Sequence, residues 1–271
     1  MALTFIDSHC HLQSLPESML AYARHWVNQT QKEAIERVLS VCLTLDDLPR
    51  LASLARTFPG FIDISAGIHP CDVANIVQRD IDVLRLWSSH EHVVAIGEIG
   101  MDYYHTTEHI KQQRWVFEAQ MQVAEQQQLP VIIHTRQAVE DTLSVLRQFP
   151  KVKGVLHCFT EDIGMAEQAM ALGYYISFSG IITFKKSNEL RAVVRSVPLS
   201  HTLIETDAPY LAPHPNRGKT NESKWVRWVA EKVAEIHQVS LEEVSMVTSQ
   251  NYHDLFAPSV SHETNLNESS A

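Results

Sequence analysis

Eight short apolar runs, each followed by a stretch of helical periodicity, limit this chain to few architectures. The runs lie at residues 3–7, 38–43, 61–67, 93–96, 130–133, 154–156, 175–178 and 202–204. Near-continuous apolar strands separated by helices predict a parallel sheet buried on both faces. Helices are expected at about 16–30, 46–57, 76–87, 111–128, 139–149, before Gly173, at 187–196, and at 223–237 and 240–256. In the 111–128 helix Trp115, Ala119, Gln122 and Val123 mark the expected apolar face, and in 223–237 Trp225, Trp228, Val229 and Val233. Eight strand–helix units in 271 residues match a closed (β/α)8 barrel, for which roughly 250 residues is typical. An open doubly wound sheet would want a Gly-rich phosphate turn after the first strand, where this chain has Ser8-His9-Cys10-His11. The expected fold is therefore α/β, a TIM barrel spanning residues 1–258. Residues 259–271 are polar and lack an apolar pattern, which predicts a disordered tail.

Charge and cysteine usage narrow the function. The net charge is −10, whereas a non-specific nucleic-acid binder is usually basic. Any phosphate site must then be local, built from bound cations and a few Lys or Arg. The cysteines, Cys10, Cys42, Cys71 and Cys158, form no CxxC pair, which argues for a reducing compartment and small buried fillers. No apolar run of about 18 residues predicts a membrane span. The N-terminus lacks the basic-then-apolar pattern of a leader, so a cytoplasmic protein is expected.

Histidine is unusually abundant, 15 in the chain, and several mark strand ends. His9 and His11 end the first run, Glu98 follows the fourth, His134 the fifth, His157 the sixth and Asp207 the eighth. In a (β/α)8 barrel these ends meet at one mouth. Alone, His134 or His157 reads as a hydrogen-bonded core histidine, Glu98 as a turn residue and Asp207 as a cap. Together they are ionisable groups ending apolar strands, and such groups need partners to be buried. Four histidines and two carboxylates exceed one tetrahedral ion with an open position and suit two cations sharing a carboxylate. The expected assignment puts His9, His11, Glu98 and Asp207 on one metal, and Glu98, His134 and His157 on the other. These donors admit Zn, Mn, Ni or Mg.

The motifs carrying this pattern are Asp-Ser-His-Cys-His-Leu at 7–12, Gly-Ile-His-Pro at 67–70 and Gly-Glu-Ile-Gly-Met-Asp-Tyr-Tyr at 97–104. Leu-Pro-Val-Ile-Ile-His-Thr-Arg follows at 129–136, Leu-His-Cys-Phe at 156–159 and Glu-Thr-Asp-Ala-Pro-Tyr-Leu at 205–211. Arg217-Gly218-Lys219 with Asn221, and residues 251–256, complete the set. In these the chain resembles the TatD family of metal-dependent hydrolases, within the amidohydrolase-like barrels. The resemblance implies a binuclear hydrolase acting as a deoxyribonuclease, with those six residues as its ligands. Gln137 departs from the family, which often has an acidic residue there, and could alter a hydrogen bond behind a ligand. His214 is an extra histidine before Arg217.

The expected function is cleavage of DNA phosphodiester bonds, acting 3′ to 5′ on single strands or ends, by a water activated between two metals. Asp207 and Glu98 are the expected catalytic residues, Asp207 orienting or deprotonating the water. Arg217 and Lys219 are expected to hold substrate phosphate. Arg136 and His69 are further candidates, and Tyr103 and Tyr104 could stack on a terminal base. A small-molecule hydrolase of an amide, lactone or phosphoester is the alternative. Many of those bridge their metals through a modified lysine on strand 4, and residues 90–110 contain no lysine. A metal-binding protein without turnover is a third reading, since fold does not fix function.

Overall fold

The computed structural model describes residues 3–15 and 23–256. The strands are β1 Phe5–Cys10, β2 Ile35–Ser40, β3 Ile62–Ala66, β4 Val93–Asp102, β5 Val131–Arg136, β6 Gly154–Leu156, β7 Tyr174–Phe178 and β8 Thr202–Ile204. The helices are α1 Ala23–Lys32, α2 Leu48–Thr57, α3 Gln78–Trp87, α4 Ile110–Gln127, α5 Val139–Leu146 and α6 Ile163–Ala171. Then come α7 Asn188–Ser196, α8 Val226–His237 and α9 Leu241–Phe256. The tail at 259–271 and residues 16–22 of the expected first helix lie outside the described residues. No helix among the described residues is long and apolar enough to cross a membrane.

All eight strands run parallel in sequence order, β1 to β8. The seam between β8 and β1 is not a regular ladder. It is closed by one bridge, Cys10 with Ala208, and by backbone bonds from His11 N to Ala208 O (2.7 Å) and Asp207 N to His9 O (2.9 Å). The barrel thus closes through the residues carrying the candidate ligands.

Two packed layers follow from strand alternation. One face of each strand meets the surrounding helices. The other fills the barrel, with Ile6, Leu39, Ala95, Ile132, Val155 and Leu203 drawn from six strands. Tyr252, Leu255 and Phe256 of α9 join this inner cluster as its floor. An aromatic burying roughly 150–250 Å2 is worth on the order of 4–6 kcal/mol at about 25 cal/mol per Å2, an upper bound. The Tyr252 hydroxyl donates to Asp63 Oδ2 (2.7 Å), and Arg37 holds both Asp63 oxygens at 3.0 Å. The Tyr252 hydroxyl and the Asp63 carboxylate are therefore paired without help from the mouth.

Helix faces depart from the expectation in two places. α4 buries Val123 as expected, together with Gln113, Val116, Phe117, Gln120, Met121 and Ala124, an i, i+3, i+4, i+7 stripe, and leaves Trp115 36% exposed. The stripe includes two glutamines because each pairs with a backbone. Gln120 binds both N and O of Ile68 (2.8 and 3.0 Å), and Gln113 binds both N and O of Asp102 (2.9 Å each). Burying an amide is tolerable when all its bonds are made. On α8, Trp228 is likewise exposed, and Val226, Val229, Ala230 and Val233 face inward.

Candidate metal centre

β1 and β4 each carry one extra residue where they meet their neighbours. Asp7 pairs with Val38 and Cys10 with Ser40, so three steps on β1 match two on β2. Ile96 pairs with Val131 and Ile99 with Ile133, repeating this on β4 against β5. Such bulges re-aim side chains, and these lie at His9 and at Glu98. β4 was expected to end at Ile96, and it continues to Asp102. Gly97 and Gly100, just past the expected end, are points of close strand approach. Gly100 has φ +141°, and a Cβ there would lie 1.9 Å from His134 O, so only glycine fits.

The candidate ligands converge as two groups about Glu98. In the first, His9 Nε2 and His11 Nε2 face each other at 3.2 Å. Glu98 Oε2 lies 3.3 Å from His9 and 3.9 Å from His11, and Asp207 Oδ1 lies 3.8 and 3.2 Å from the same atoms. These spacings resemble the ~3.4 Å edge of a tetrahedron of donors ~2.1 Å from an ion. In the second group, Glu98 Oε1 lies 2.9 Å from His134 Nδ1 and 2.8 Å from His157 Nε2, which are 3.4 Å apart. Each group could hold a divalent cation. The His9 and His157 rings stack at 3.9 Å between centroids, so the groups are contiguous.

Partners behind the rings set which nitrogen is free. His11 Nδ1 can donate to Val41 O (3.1 Å), His134 Nε2 to Asp102 Oδ2 (2.9 Å) and His157 Nδ1 to Glu205 Oε1 (3.3 Å). Each leaves a lone pair on the inward nitrogen, the arrangement typical of ligating histidines. Asp102 and Glu205, both fully buried, had no role assigned from the sequence. The signal for Asp102 was hidden by ending β4 six residues early. Glu205 lies two residues before Asp207 in a quoted motif, but nothing in the motif says it backs His157. Asp7 is a third such group, accepting from Thr206 N (2.8 Å) and Oγ1 (2.6 Å). Burial lifts its carboxyl to about 7 against those bonds.

Electrostatics fit a cation-binding cluster. Burial alone would raise the Glu98 carboxyl, but His157, His69 and bonds from His134 and His157 hold it well below the usual range. Asp207 is lowered in the same way: burial opposes ionisation and His11 overcomes it. Burial disfavours charged imidazoles, yet Glu98 and Glu205 hold His157 well above its ordinary value, and the Asp207 bond raises His11. His9 goes down through burial and its neighbour His157. These are shared protons, which a divalent cation would displace. Asp207 has φ +59°, a left-handed conformation that Asp tolerates better than most residues; such backbone concentrates at functional sites.

The remaining candidates are placed differently. His69 Nδ1 accepts from Cys71 N (3.1 Å). The neutral ring must then carry its proton on Nε2, 3.4 Å from Glu98 Oε1. His69 thus faces Glu98 with its N–H side, as a close electrostatic contact. Burial lowers its pKa, which favours the neutral ring. Arg136 lies exposed with its guanidinium 4.0 Å over the Tyr104 ring. Arg217 lies exposed 3.6 Å over Phe184, and Lys219 reaches only Asn216 Oδ1 (3.4 Å). Tyr103 turns away and donates to Asp141 (2.6 Å). Gln137 forms no side-chain bond to the cluster among the described residues; its backbone N donates to Glu161 (3.1 Å). His214 is fixed only through its backbone N, which donates to Thr183 Oγ1 (2.9 Å). Asn221 is buried and ties the β8 loop to Thr206 O (2.8 Å) and Tyr210 O (2.5 Å). All four cysteines are free thiols, and Cys71 is exposed instead of filling the core.

A family model described as TatD related DNase matches residues 6–257. The chain belongs to this family. It is 41% identical over 266 residues to an uncharacterized metal-dependent hydrolase of Escherichia coli K12, YcfH, covering 93% of this chain and 95% of the relative. It is 35% identical over 252 residues to another from Bacillus subtilis 168, YabD, covering 92% and 98%. The solved structure of the Escherichia coli K12 TatD homologue YJJV superposes with a TM-score of 0.88 at 25% identity, covering 94% of this chain and 99% of that one. The protein is a TatD-family metal-dependent hydrolase on a (β/α)8 barrel, with His, Glu and Asp clusters able to bind metal.

Proposed function

We propose that this hydrolase is a deoxyribonuclease that removes nucleotides from single-stranded DNA or DNA ends, 3′ to 5′. The carrying observation is the carboxylate of Glu98, whose two oxygens each face a separate group of imidazole nitrogens. His9, His11, Glu98 and Asp207 would hold one divalent cation, and Glu98, His134 and His157 the other, with Zn, Mn, Ni or Mg all suited to the donors. When bound, such a pair supplies charge neutralisation and a water-derived nucleophile for in-line displacement at phosphorus.

The chain's own residues do the rest. Asp207 is held ionised, and among the described residues its Oδ2 forms no hydrogen bond, leaving it to orient the attacking water and take its proton. His69 steadies Glu98 from outside the ligand set. Asp102 and Glu205 fix the tautomers of His134 and His157. Arg217 and Lys219 reach substrate phosphate from the loop that begins at Asp207, and Arg136 on Tyr104 offers a second cationic contact across the mouth. A local set of cations answers the objection raised by a net charge of −10.

The test is a time course on 5′-labelled single-stranded DNA with Mg or Mn, beside Asp207→Ala. A shortening ladder that the variant abolishes is expected. DNA left intact under every metal, with turnover of small esters or lactones by the same preparation, refutes the reading in favour of a small-molecule hydrolase.

A further inference from the structure

The mouth of the barrel is electrically lopsided. The loop after β7, residues 180–187, and residues 208–221 of the loop after β8 contain Lys185, Lys186, Arg217 and Lys219 and no acidic residue; Glu205 and Asp207 before them belong to the metal centre, and Glu222 after them pairs with Lys224 at 2.8 Å. The loops after β2, β3, β4 and β6 carry Asp46 and Asp47, Asp72, Glu108, and Glu161 and Asp162, with no Lys or Arg. A polyanion is therefore drawn chiefly to this side of the mouth, with exposed Arg136 at the end of β5 the cationic contact across from it.

The basic side is built, not merely charged. A Cβ on Gly180 would lie 2.3 Å from Leu211 O, so the two loops are in backbone contact. Thr183 Oγ1 accepts from His214 N at 2.9 Å. Arg191 of α7 donates to Ile182 O (2.9 Å), Phe184 O (2.8 Å) and Lys185 O (3.4 Å). Its charge is engaged with carbonyls, and its bonds fix the loop. Lys185, Lys186, Arg217 and Lys219 are all exposed and form no ion pair among the described residues. Arg217 stacks on half-buried Phe184, which leaves the outer face of the guanidinium and its N–H edge open. This ledge borders the metal centre: its β8 loop starts at Asp207, and Tyr210 lies 6.1 Å from the His11 ring.

We infer that Phe184, Lys185 and Lys186, with Arg217 above them, form a second-nucleotide subsite that binds the base and phosphate next to the bond being cleaved. This rests on the nuclease reading and extends it. The Arg217–Phe184 stack is a platform for one unpaired base, since base stacking on planar groups is tolerant of sequence. The two lysines take the neighbouring phosphate. The acidic loops opposite oppose the second backbone of a duplex, so the subsite selects a single strand. A phosphodiester lacking a further phosphate gains nothing from it.

The test compares wild type with Lys185→Ala/Lys186→Ala, with Mn present, on bis(p-nitrophenyl) phosphate and on a single-stranded 10-mer over a salt series. On the diester, kcat and KM should be unchanged. On the 10-mer, KM should rise on the order of tenfold at low salt. The slope of log(1/KM) against log[salt] should flatten by about 0.7 per lost phosphate contact. Lys185→Arg/Lys186→Arg should keep wild-type values. A wild type that cleaves the 10-mer, with an Ala variant matching it in KM and salt slope, overturns the subsite alone. A wild type that turns over the diester and no oligonucleotide overturns the nuclease reading and the subsite with it.

Discussion

Asp102→Asn isolates the tautomer argument, because the substitution keeps shape and removes only acceptor character. Asp102 is fully buried and both oxygens are used twice. Oδ1 accepts from Tyr104 N and His105 N at 2.8 Å each, and Oδ2 accepts from His105 Nδ1 at 2.7 Å and His134 Nε2 at 2.9 Å. An amide placed either way sets an NH2 against two donors. With the NH2 toward His134, the ring must expose a bare Nε2 and move its proton to Nδ1. Nδ1 is the atom 2.9 Å from Glu98 Oε1, so the ligating lone pair is lost. With the NH2 toward the backbone, two N–H groups are stranded, at roughly 1–3 kcal/mol for each buried donor. Losing a partner behind a metal ligand typically costs 10–100-fold in affinity, or about 1.4–2.7 kcal/mol. Calorimetric titration with Mn should show weaker binding at the His134–His157 group, while the His9–His11–Asp207 group keeps its affinity. Two metals bound to the variant with wild-type affinity would refute the claim that Asp102 sets the tautomer of His134.

Removing metal by chelation should lower the melting temperature. Saturation at 100 times Kd stabilises by about 2.7 kcal/mol, or roughly 5–10 °C for a domain of this size, so a melting curve indifferent to added Mn or Zn would refute binding to the folded state. Tyr252→Phe removes the bond to Asp63 at the floor and should cost about 1 kcal/mol in urea unfolding with kcat unchanged; a fall in kcat would show that floor and mouth are coupled.

Much of this was legible in the sequence because strand ends of a parallel barrel are forced together. The eight apolar runs specify the fold, and the candidate ligands just after them, His9, His11, Glu98, His134, His157 and Asp207, do converge. What escaped reading lay where local pattern and tertiary use conflict. The fourth apolar run stops at Ile96, yet Gly97 and Gly100 keep β4 running while β5 presses against it, which hid Asp102. The expected α4 face runs through Trp115, Ala119, Gln122 and Val123, yet Gln113 and Gln120 each close a backbone pair, and the buried stripe keeps Val123 and leaves Trp115 out. Lys185 and Lys186 have no place in the sequence reading, since no local pattern reveals that their loop packs on the β8 loop.

The seam of the barrel explains why the site and the fold are hard to separate. A regular β8–β1 ladder would pair backbone groups along both strands. Here the closing bonds fall on His9 O, Asp207 N, His11 N and Ala208 O, and Ser8 Oγ reaches Ile204 O at 2.9 Å below them. The same residues aim Nε2 of His9, Nε2 of His11 and Oδ1 of Asp207 at one point. A cation held between those side chains would clamp β1 to β8 from the mouth, as α9 supports both from beneath. The bulge at His9 turns β1 toward that point but interrupts its pairing. The bulge lies on the β2 side, and on the β8 side the sparse backbone bonds would be supplemented by a cation held at the same place.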